Sequence, residues 1–270
     1  MQLNKNSNTI IGAIIGDIAG SYYEWKNTKT KDFEFFVETA TFTDNTVLTV
    51  AVADIILNNK DIAKTIQQHA TEHKNRGFGH SFRKWRKSKD LKPYNSWGNG
   101  SAMRVSPVGF AFNTMEEVLQ KAKETAEVTH NHPEGIKGAQ AVASAVFLAR
   151  TGKSKNEIKD FITRKFDYNL NDTLDNIRPT YKFDVSCQGS VPQAIIAFLE
   201  GTDYEDTIRN AISIGGDSDT IACIAGGIAT AFYGKIPEKM IEYVNKDLPE
   251  NFIKIINEFD DKYTNKHIEN

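Results

Sequence analysis

Two polar clusters carry the residue types that hold divalent cations. The first is Phe42-Thr43-Asp44-Asn45-Thr46, which runs straight into the apolar Val47-Leu48-Thr49-Val50. The second is Gly215-Gly216-Asp217-Ser218-Asp219-Thr220, which runs into Ile221-Ala222-Cys223-Ile224. Hard cations such as Mg²⁺ take carboxylate, hydroxyl and carbonyl oxygens. Asp44, Asp217 and Asp219 would supply the charge, and Thr43, Asn45 and Thr220 the neutral oxygens. The same residue types cap helices, because their side-chain oxygens accept orphan backbone N–H groups. A single residue needs no further explanation than that, but three or four in a row, twice, exceed what capping uses. A helix N-terminus is partly positive and does not itself attract a cation, though it keeps nearby carboxylates ionised. Residue chemistry alone leaves both the metal and the capping reading open.

Three further groups stand out. In Trp97-Gly98-Asn99-Gly100-Ser101-Ala102-Met103-Arg104, two glycines flank Asn99. They would let the backbone approach a ligand closely, and successive N–H groups followed by a serine can form a nest for phosphate. A turn between helices would use Gly-Asn-Gly equally well. The motif is neither a Walker A loop nor a Rossmann fingerprint, since no strand precedes it and no Gly-Lys-Ser/Thr follows. Gly12, Gly16, Gly20 and Glu24 recur every four residues, which lines them along one helix face. Close helix packing explains the glycines but not the carboxylate at the end of the row, so Asp17 and Glu24 could instead line a site. Thr129-His130-Asn131-His132-Pro133 sets two imidazoles at a helix end, where charge on His130 would be favourable. Zinc fits poorly there: i and i+2 point apart, and no Cys or His partner stands at finger spacing.

Helices must position these groups. Apolar periodicity predicts them over 10–25, 47–57, 115–130, 138–150, 155–166, 191–200, 204–214, 221–233, 237–244 and 251–263. Those over 47–57 and 221–233 are apolar nearly all round, so both are expected to be buried centrally. The second ends at Gly234 with Pro237 beyond, a standard helix stop. Strand signals are confined to 32–36, 39–43 and 181–185 and form no βαβ rhythm. The polar tail after Phe259 is expected to be solvated or frayed. No linker or repeat divides the chain, so a single all-α domain over 1–270 is expected.

Composition narrows the function classes. The 270 residues include 33 Lys+Arg and 35 Asp+Glu, a net charge of −2 that gives no global pull toward nucleic acid. No basic stripe accompanies Trp25, Trp85 and Trp97, so they read as core or pocket wall rather than as a base-stacking platform. The segment 77–94 is rich in Lys and Arg; it could border a cleft and meet an acidic partner, or be simply solvated. Cys187 and Cys223 are too few for a disulfide scaffold, and a reducing compartment is expected. The first apolar stretch, 10–19, is short and contains Asp17, whereas a spanning helix needs roughly 20 apolar residues. The polar N-terminus, with no small-residue cleavage site after the apolar run, does not read as a signal peptide. The expectation is a cytoplasmic monomer without a membrane span.

Taken together, these pieces resemble the ADP-ribosylglycohydrolase family, of the dinitrogenase-reductase-activating glycohydrolase type. Gly12-Ala13-Ile14-Ile15-Gly16-Asp17 with Gly20 and Glu24, Phe42 to Thr46, Gly98 to Arg104, Thr129-His130 and Gly216 to Thr220 occur in family order over 10–237. Each is weak alone, and five in order are specific. The resemblance implies a single compact orthogonal helical bundle with a central cleft for two Mg²⁺ or Mn²⁺ ions. It implies cleavage of the bond between ribose C1″ of ADP-ribose and an acceptor side chain, arginine favoured, on an ADP-ribosylated protein or a small ADP-ribose conjugate. By motif, Thr43, Asp44, Asn45, Asp217, Asp219 and Thr220 would be metal ligands. Asp17, Asn99, Gly100, Ser101, Met103 and His130 would lie against the ligand. Glu24 would sit near the scissile bond, and Asp44 and Asp219 would be indispensable. The family pattern at the first motif is Thr-Asp-Asp-Thr; here its second Asp is Asn45. One negative charge is lost, so weaker binding of at least one ion and slower turnover are expected. Two other readings compete: a module that binds ADP-ribose without cleaving it, and a structural helical protein whose acidic clusters are only caps.

Overall fold

A computed structural model describes residues 1–264. Its helices are α1 (Ile11–Trp25), α2 (Asp44–Asn58), α3 (Ile62–Glu72), α4 (His80–Arg86), α5 (Gly100–Met103), α6 (Ser106–Ala111), α7 (Met115–Glu127), α8 (Pro133–Arg150), α9 (Lys155–Phe166), α10 (Leu174–Ile177), α11 (Cys187–Glu200), α12 (Tyr204–Ser213), α13 (Ser218–Tyr233), α14 (Glu238–Asn245) and α15 (Glu250–Tyr263). The fold is all-α, with no strand among the described residues. The segments that alternate like strands are irregular. In the first, Phe33, Phe35 and Phe36 form an aromatic chain from Tyr23 to Tyr243, ending in a stacked pair 3.9 Å apart. Side-chain packing satisfies that pattern without backbone pairing. Beside the third segment, Gly98 and Ser186 make one isolated antiparallel bridge. No helix among the described residues is long and apolar enough to cross a membrane.

The two helices expected at the centre are there. Every residue of α13 from Ser218 to Ala231 is buried, as is α2 from Asn45 to Ile55. The glycine row brings α1 against α13. A Cβ at Gly16 would lie 2.1 Å from the Ala222 carbonyl oxygen, and one at Gly20 2.5 Å from Asp219 Cα. Both distances are to backbone, which cannot swing aside. The glycines therefore serve close packing, and the same register delivers Glu24 to the N-terminus of α13. Gly16→Ala should destabilise the chain by at least ~1–3 kcal/mol through overpacking. Urea unfolding would show it as a lower midpoint; an unchanged midpoint would mean that the two helices separate at no cost.

Helix starts differ from the periodicity in one consistent way. α2, α8, α11 and α13 begin three to five residues before their apolar runs; the first three are capped by the Thr43, His132 and Ser186 side chains, and α13 opens on the polar Ser218-Asp219-Thr220 without a side-chain cap. α7 ends at Glu127, so His130 lies beyond the helix rather than in its last turn. At the C-terminus, α15 continues past Phe259 to Tyr263, and Asp260 is buried, accepting from the Ser7 and Thr9 hydroxyls. The rest of that tail lies outside the described residues.

Candidate active site

The site forms where the N-termini of α2 and α13 meet α1. Thr43 caps α2 and Asp44 opens it. Beneath them lies Asp17, fully buried. Its Oδ1 accepts from Thr43 Oγ1 at 2.6 Å, and its Oδ2 accepts from the Thr43 and Thr46 amides at 2.9 and 3.0 Å and from Thr46 Oγ1 at 2.5 Å. Burial raises the Asp17 carboxyl above its ordinary range, while these donors favour the ionised form. Both oxygens are engaged, so Asp17 fixes the start of α2 from below rather than lining the cleft as a ligand contact.

The second strip depends on a glycine turn. Gly215 and Gly216 have φ of +72° and +76°, a left-handed pair that residues with a Cβ adopt only under strain. Asn27 clamps this turn: its Oδ1 accepts from the Gly216 amide at 2.7 Å, and its Nδ2 donates to the Gly216 carbonyl at 3.2 Å. Asp217 and Asp219 follow, with Thr220 in the first turn of α13 and its amide on Asp219 Oδ1 at 2.8 Å. Carboxylate oxygens of Glu24, Asp217 and Asp219 lie within 4.8 Å of one another. Asp44 stands close enough for its charge to act on them.

That crowding reshapes every acid in the cup. Burial, then the charges of Asp219 and Asp17, push Glu24 up to about 8. Burial pushes Asp217 up to about 6, with Glu24 and Asp44 adding to it. Asp44 and Asp219 are driven well above the carboxylate range, first by burial and then by their acidic neighbours. A cup of buried like charges must bind protons or a cation.

Asn45 sits at its base, 1% exposed. Its Nδ2 donates to Thr43 Oγ1 at 2.8 Å, to Asp219 Oδ2 at 3.1 Å and to Asp17 Oδ1 at 3.3 Å. Its Oδ1 is buried with no hydrogen-bond partner among the described residues. A lone buried oxygen beside three converging carboxylates is a donor set that suits a hard divalent cation.

The glycine loop forms another wall. Its strand-like entry is pinned by the Asn99 amide on the Val185 carbonyl at 2.8 Å. Asn99 Nδ2 donates to Asp217 Oδ2 at 2.7 Å and to Ser190 Oγ at 3.1 Å, so this residue joins the acidic cup directly. Gly100 lies against His130, where a Cβ would come 3.0 Å from Nε2, and Met103 Cε stands 4.0 Å from that same point. The Ser101 hydroxyl points inward. It is fully buried, and its hydroxyl donates to the Gly135 carbonyl at 2.7 Å, tying α5 to α8. Ser101→Ala should cost ~1–3 kcal/mol of stability through the unpaired carbonyl and leave ADP-ribose affinity unchanged. Calorimetric titration showing a tenfold weaker Kd would put Ser101 back on the ligand.

His130 is held neutral. Burial, with the nearby Arg104 cation, pulls its imidazole well below the ordinary histidine value, so it offers no charge to a helix end. The basic segment 77–94 touches the site at both ends: a Cβ on Gly77 would lie 3.4 Å from Asp44 Oδ1, and Tyr94 packs 5.9 Å from the His130 ring. Four supporting residues escaped the motif reading: Asn27, Thr46, Ser190 and Thr129. Thr46 and Thr129 stand inside the quoted motifs; Asn27 and Ser190 carry no local signal, because their partners lie about 190 and 90 positions away.

Known proteins resemble this chain in sequence and fold. ADP-ribosylhydrolase ARH3 of Homo sapiens is 27% identical over 319 residues, covering 87% of this chain and 88% of that protein. ADP-ribosylarginine hydrolase Tri1 of Pseudomonas putida (strain GB-1) is 25% identical over 155 residues, covering 54% of this chain and 42% of that protein. A solved structure described as an ADP-ribosylglycohydrolase-related protein complex has the same fold, with a TM-score of 0.75 at 20% identity over 96% of this chain and 98% of that one. The family model for ADP-ribosylglycohydrolases matches residues 3–266. With the acidic cup, the glycine loop and His130 all inside that span, the chain belongs to the ADP-ribosylglycohydrolase family.

Proposed function

We propose that the chain is a divalent-cation-dependent ADP-ribosylhydrolase whose turnover is limited by Asn45. The observation that carries this is the convergence of Glu24, Asp217 and Asp219 oxygens within 4.8 Å of one another, with Asn45 bonded to Asp219 and its own Oδ1 buried and unpartnered. Thr43, Asp44, Asn45, Asp217, Asp219 and Thr220 would hold two Mg²⁺ or Mn²⁺ ions. When bound, such ions supply Lewis acidity that orients ribose hydroxyls and activates a water. The chain itself does the rest. Asn99, Gly100 and Met103 face the ligand from the glycine loop, with His130 behind Gly100. Glu24, whose carboxylate converges with Asp217 and Asp219 at the start of α13, is placed to deliver a proton to the leaving group as the C1″ bond breaks. With cations bound Asp44 and Asp219 would be ionised, and would stabilise the positive charge that develops at C1″ and take up the proton from the incoming water.

The substrate is an ADP-ribosylated protein, arginine linkage favoured, since one relative is named for that linkage. A small ADP-ribose conjugate is the other candidate of the same chemistry. The chain acts as a cytoplasmic monomer. A second reading rests on Asn45 itself. Its Nδ2 bonds Asp219 at 3.1 Å and Thr43 at 2.8 Å and brings no negative charge to the cup, as a binding module that holds ADP-ribose intact would allow.

The deciding experiment follows ADP-ribose release from an ADP-ribosylated arginine substrate with Mg²⁺ or Mn²⁺, with chelator, and with Asn45→Asp. Metal-dependent release by the chain as it stands supports the hydrolase. Release only by Asn45→Asp supports the binding module. Release by neither, with no ADP-ribose bound in calorimetry, sinks both.

A further inference from the structure

We propose that Arg104 and Thr129 position His130 as a neutral Nε2–H donor aimed past the Gly98–Gly100 loop at a ligand oxygen in the cleft. The relay rests on the reading of that cleft as an ADP-ribose site only for the identity of the acceptor.

The argument is a count of hydrogens. Arg104 is fully buried and its Nη2 donates twice, to the Thr125 carbonyl at 2.7 Å and to Thr129 Oγ1 at 2.9 Å. Thr129 Oγ1 is also 2.7 Å from His130 Nδ1. The hydroxyl has one hydrogen, and Arg104 can only donate. If Nδ1 carried the proton, Thr129 Oγ1 would accept twice, and its own hydrogen would be buried with no acceptor among the described residues. That arrangement is costly. With the hydroxyl donating to Nδ1, both Thr129 Oγ1 and His130 Nδ1 are satisfied, and the ring proton goes to Nε2.

Nε2 is the atom that meets the loop. A Cβ at Gly100 would lie 3.0 Å from it and one at Gly98 3.7 Å. Glycine at these two positions leaves the donor unobstructed. Nothing among the described residues accepts from Nε2, although the Nδ1 side is fully engaged. Arg104 also has unpartnered Nε and Nη1 atoms, and no carboxylate pairs with it among the described residues. A buried cation left unpaired is expensive, and such groups persist where they serve a site. Here the cation sets the direction of the Thr129 hydroxyl and keeps a second positive charge off His130.

The test reads the ring directly. ¹⁵N NMR of the histidine rings distinguishes a proton on Nε2 from one on Nδ1 in the intact chain. The chain as it stands should show His130 as the Nε2–H form. Thr129→Val should give mixed forms and weaken ADP-ribose binding about tenfold, the loss of one hydrogen bond. Thr129→Ser keeps the hydroxyl and should restore both. Arg104→Lys, which keeps a buried cation but loses the planar double donation, should shift the ring toward mixed forms as well. A proton on Nδ1 in the unmodified chain, or an unchanged ring in Thr129→Val, overturns the relay. A shifted ring with unchanged ADP-ribose affinity overturns the donor role. Failure of the functional reading would look different: no ADP-ribose binding by the unmodified chain, with the ring pattern still deciding the relay.

Discussion

Asn45→Asp should raise both Mn²⁺ affinity and ADP-ribose release by tenfold or more, while making the metal-free chain less stable. The two effects have one origin. Asn45 Nδ2 donates to Thr43, Asp219 and Asp17. An aspartate there loses all three donations and sets a further carboxylate against Asp219 and Asp17 at the base of the cup. Removing a donor from buried acceptors costs ~1–3 kcal/mol even before the new repulsion is counted. A divalent cation reverses the sign, because the added charge lies where the ion needs it and the oxygen that is now orphaned becomes a charged ligand. Metal-site partners change affinity by about 10–100-fold even from outside the coordination sphere, so a direct ligand should do no less. Mn²⁺ titration by calorimetry and urea unfolding in chelator read the two halves separately. Unchanged or lower activity in Asn45→Asp would remove position 45 from the mechanism. A metal-free Asn45→Asp chain as stable as the original would show that the three Asn45 donations contribute nothing to stability.

How far the sequence reveals this site depends on what each residue's signal reports. The acidic clusters before 47–57 and 221–233 are legible because several polar residues stand together where capping needs one, and the apolar runs after them read as buried helices. Asn45 is legible as a departure from a pattern. The side chains of Ser101 and Asp17 have partners that the motifs do not reveal. A motif gives residue type but not the side of the helix, and both point inward, Ser101 onto Gly135 and Asp17 under α2. The short helices α5, α6 and α10 are too brief to show a period. α3 is longer, and Asp61 at its cap, accepting from the Lys64 amide at 2.8 Å, was the available signal for it. The Arg104–Thr129–His130 relay is legible only in three dimensions, since its members lie 25 residues apart in chain and its content is the direction of one hydroxyl.

A divalent cation should stabilise the chain much more at about pH 8 than at about pH 5. In the metal-free fold Glu24 is pushed up to about 8 and Asp217 to about 6, and burial with acidic neighbours raises Asp44 and Asp219 well above their ordinary value. In the unfolded chain the same groups titrate near about 4. Between those limits the folded chain holds protons that the unfolded chain has released. Stability of the metal-free chain is therefore greatest below the unfolded values and falls as pH rises through the folded ones. A bound cation replaces those protons as the compensating charge. Its apparent affinity should rise with pH by about tenfold per unit for each proton displaced. Thermal unfolding with and without Mn²⁺ across this window reads the difference, and titration in two buffers of unlike ionisation enthalpy counts the protons released. A metal-free chain that gains stability as pH rises would show that the cup is already ionised. An Mn²⁺ shift equal at both ends of the window would show that the cation binds elsewhere. Asp219→Asn, which removes the carboxylate shared by Asn45, Thr43 and the cup, should flatten the pH dependence and leave little Mn²⁺ stabilisation at either end.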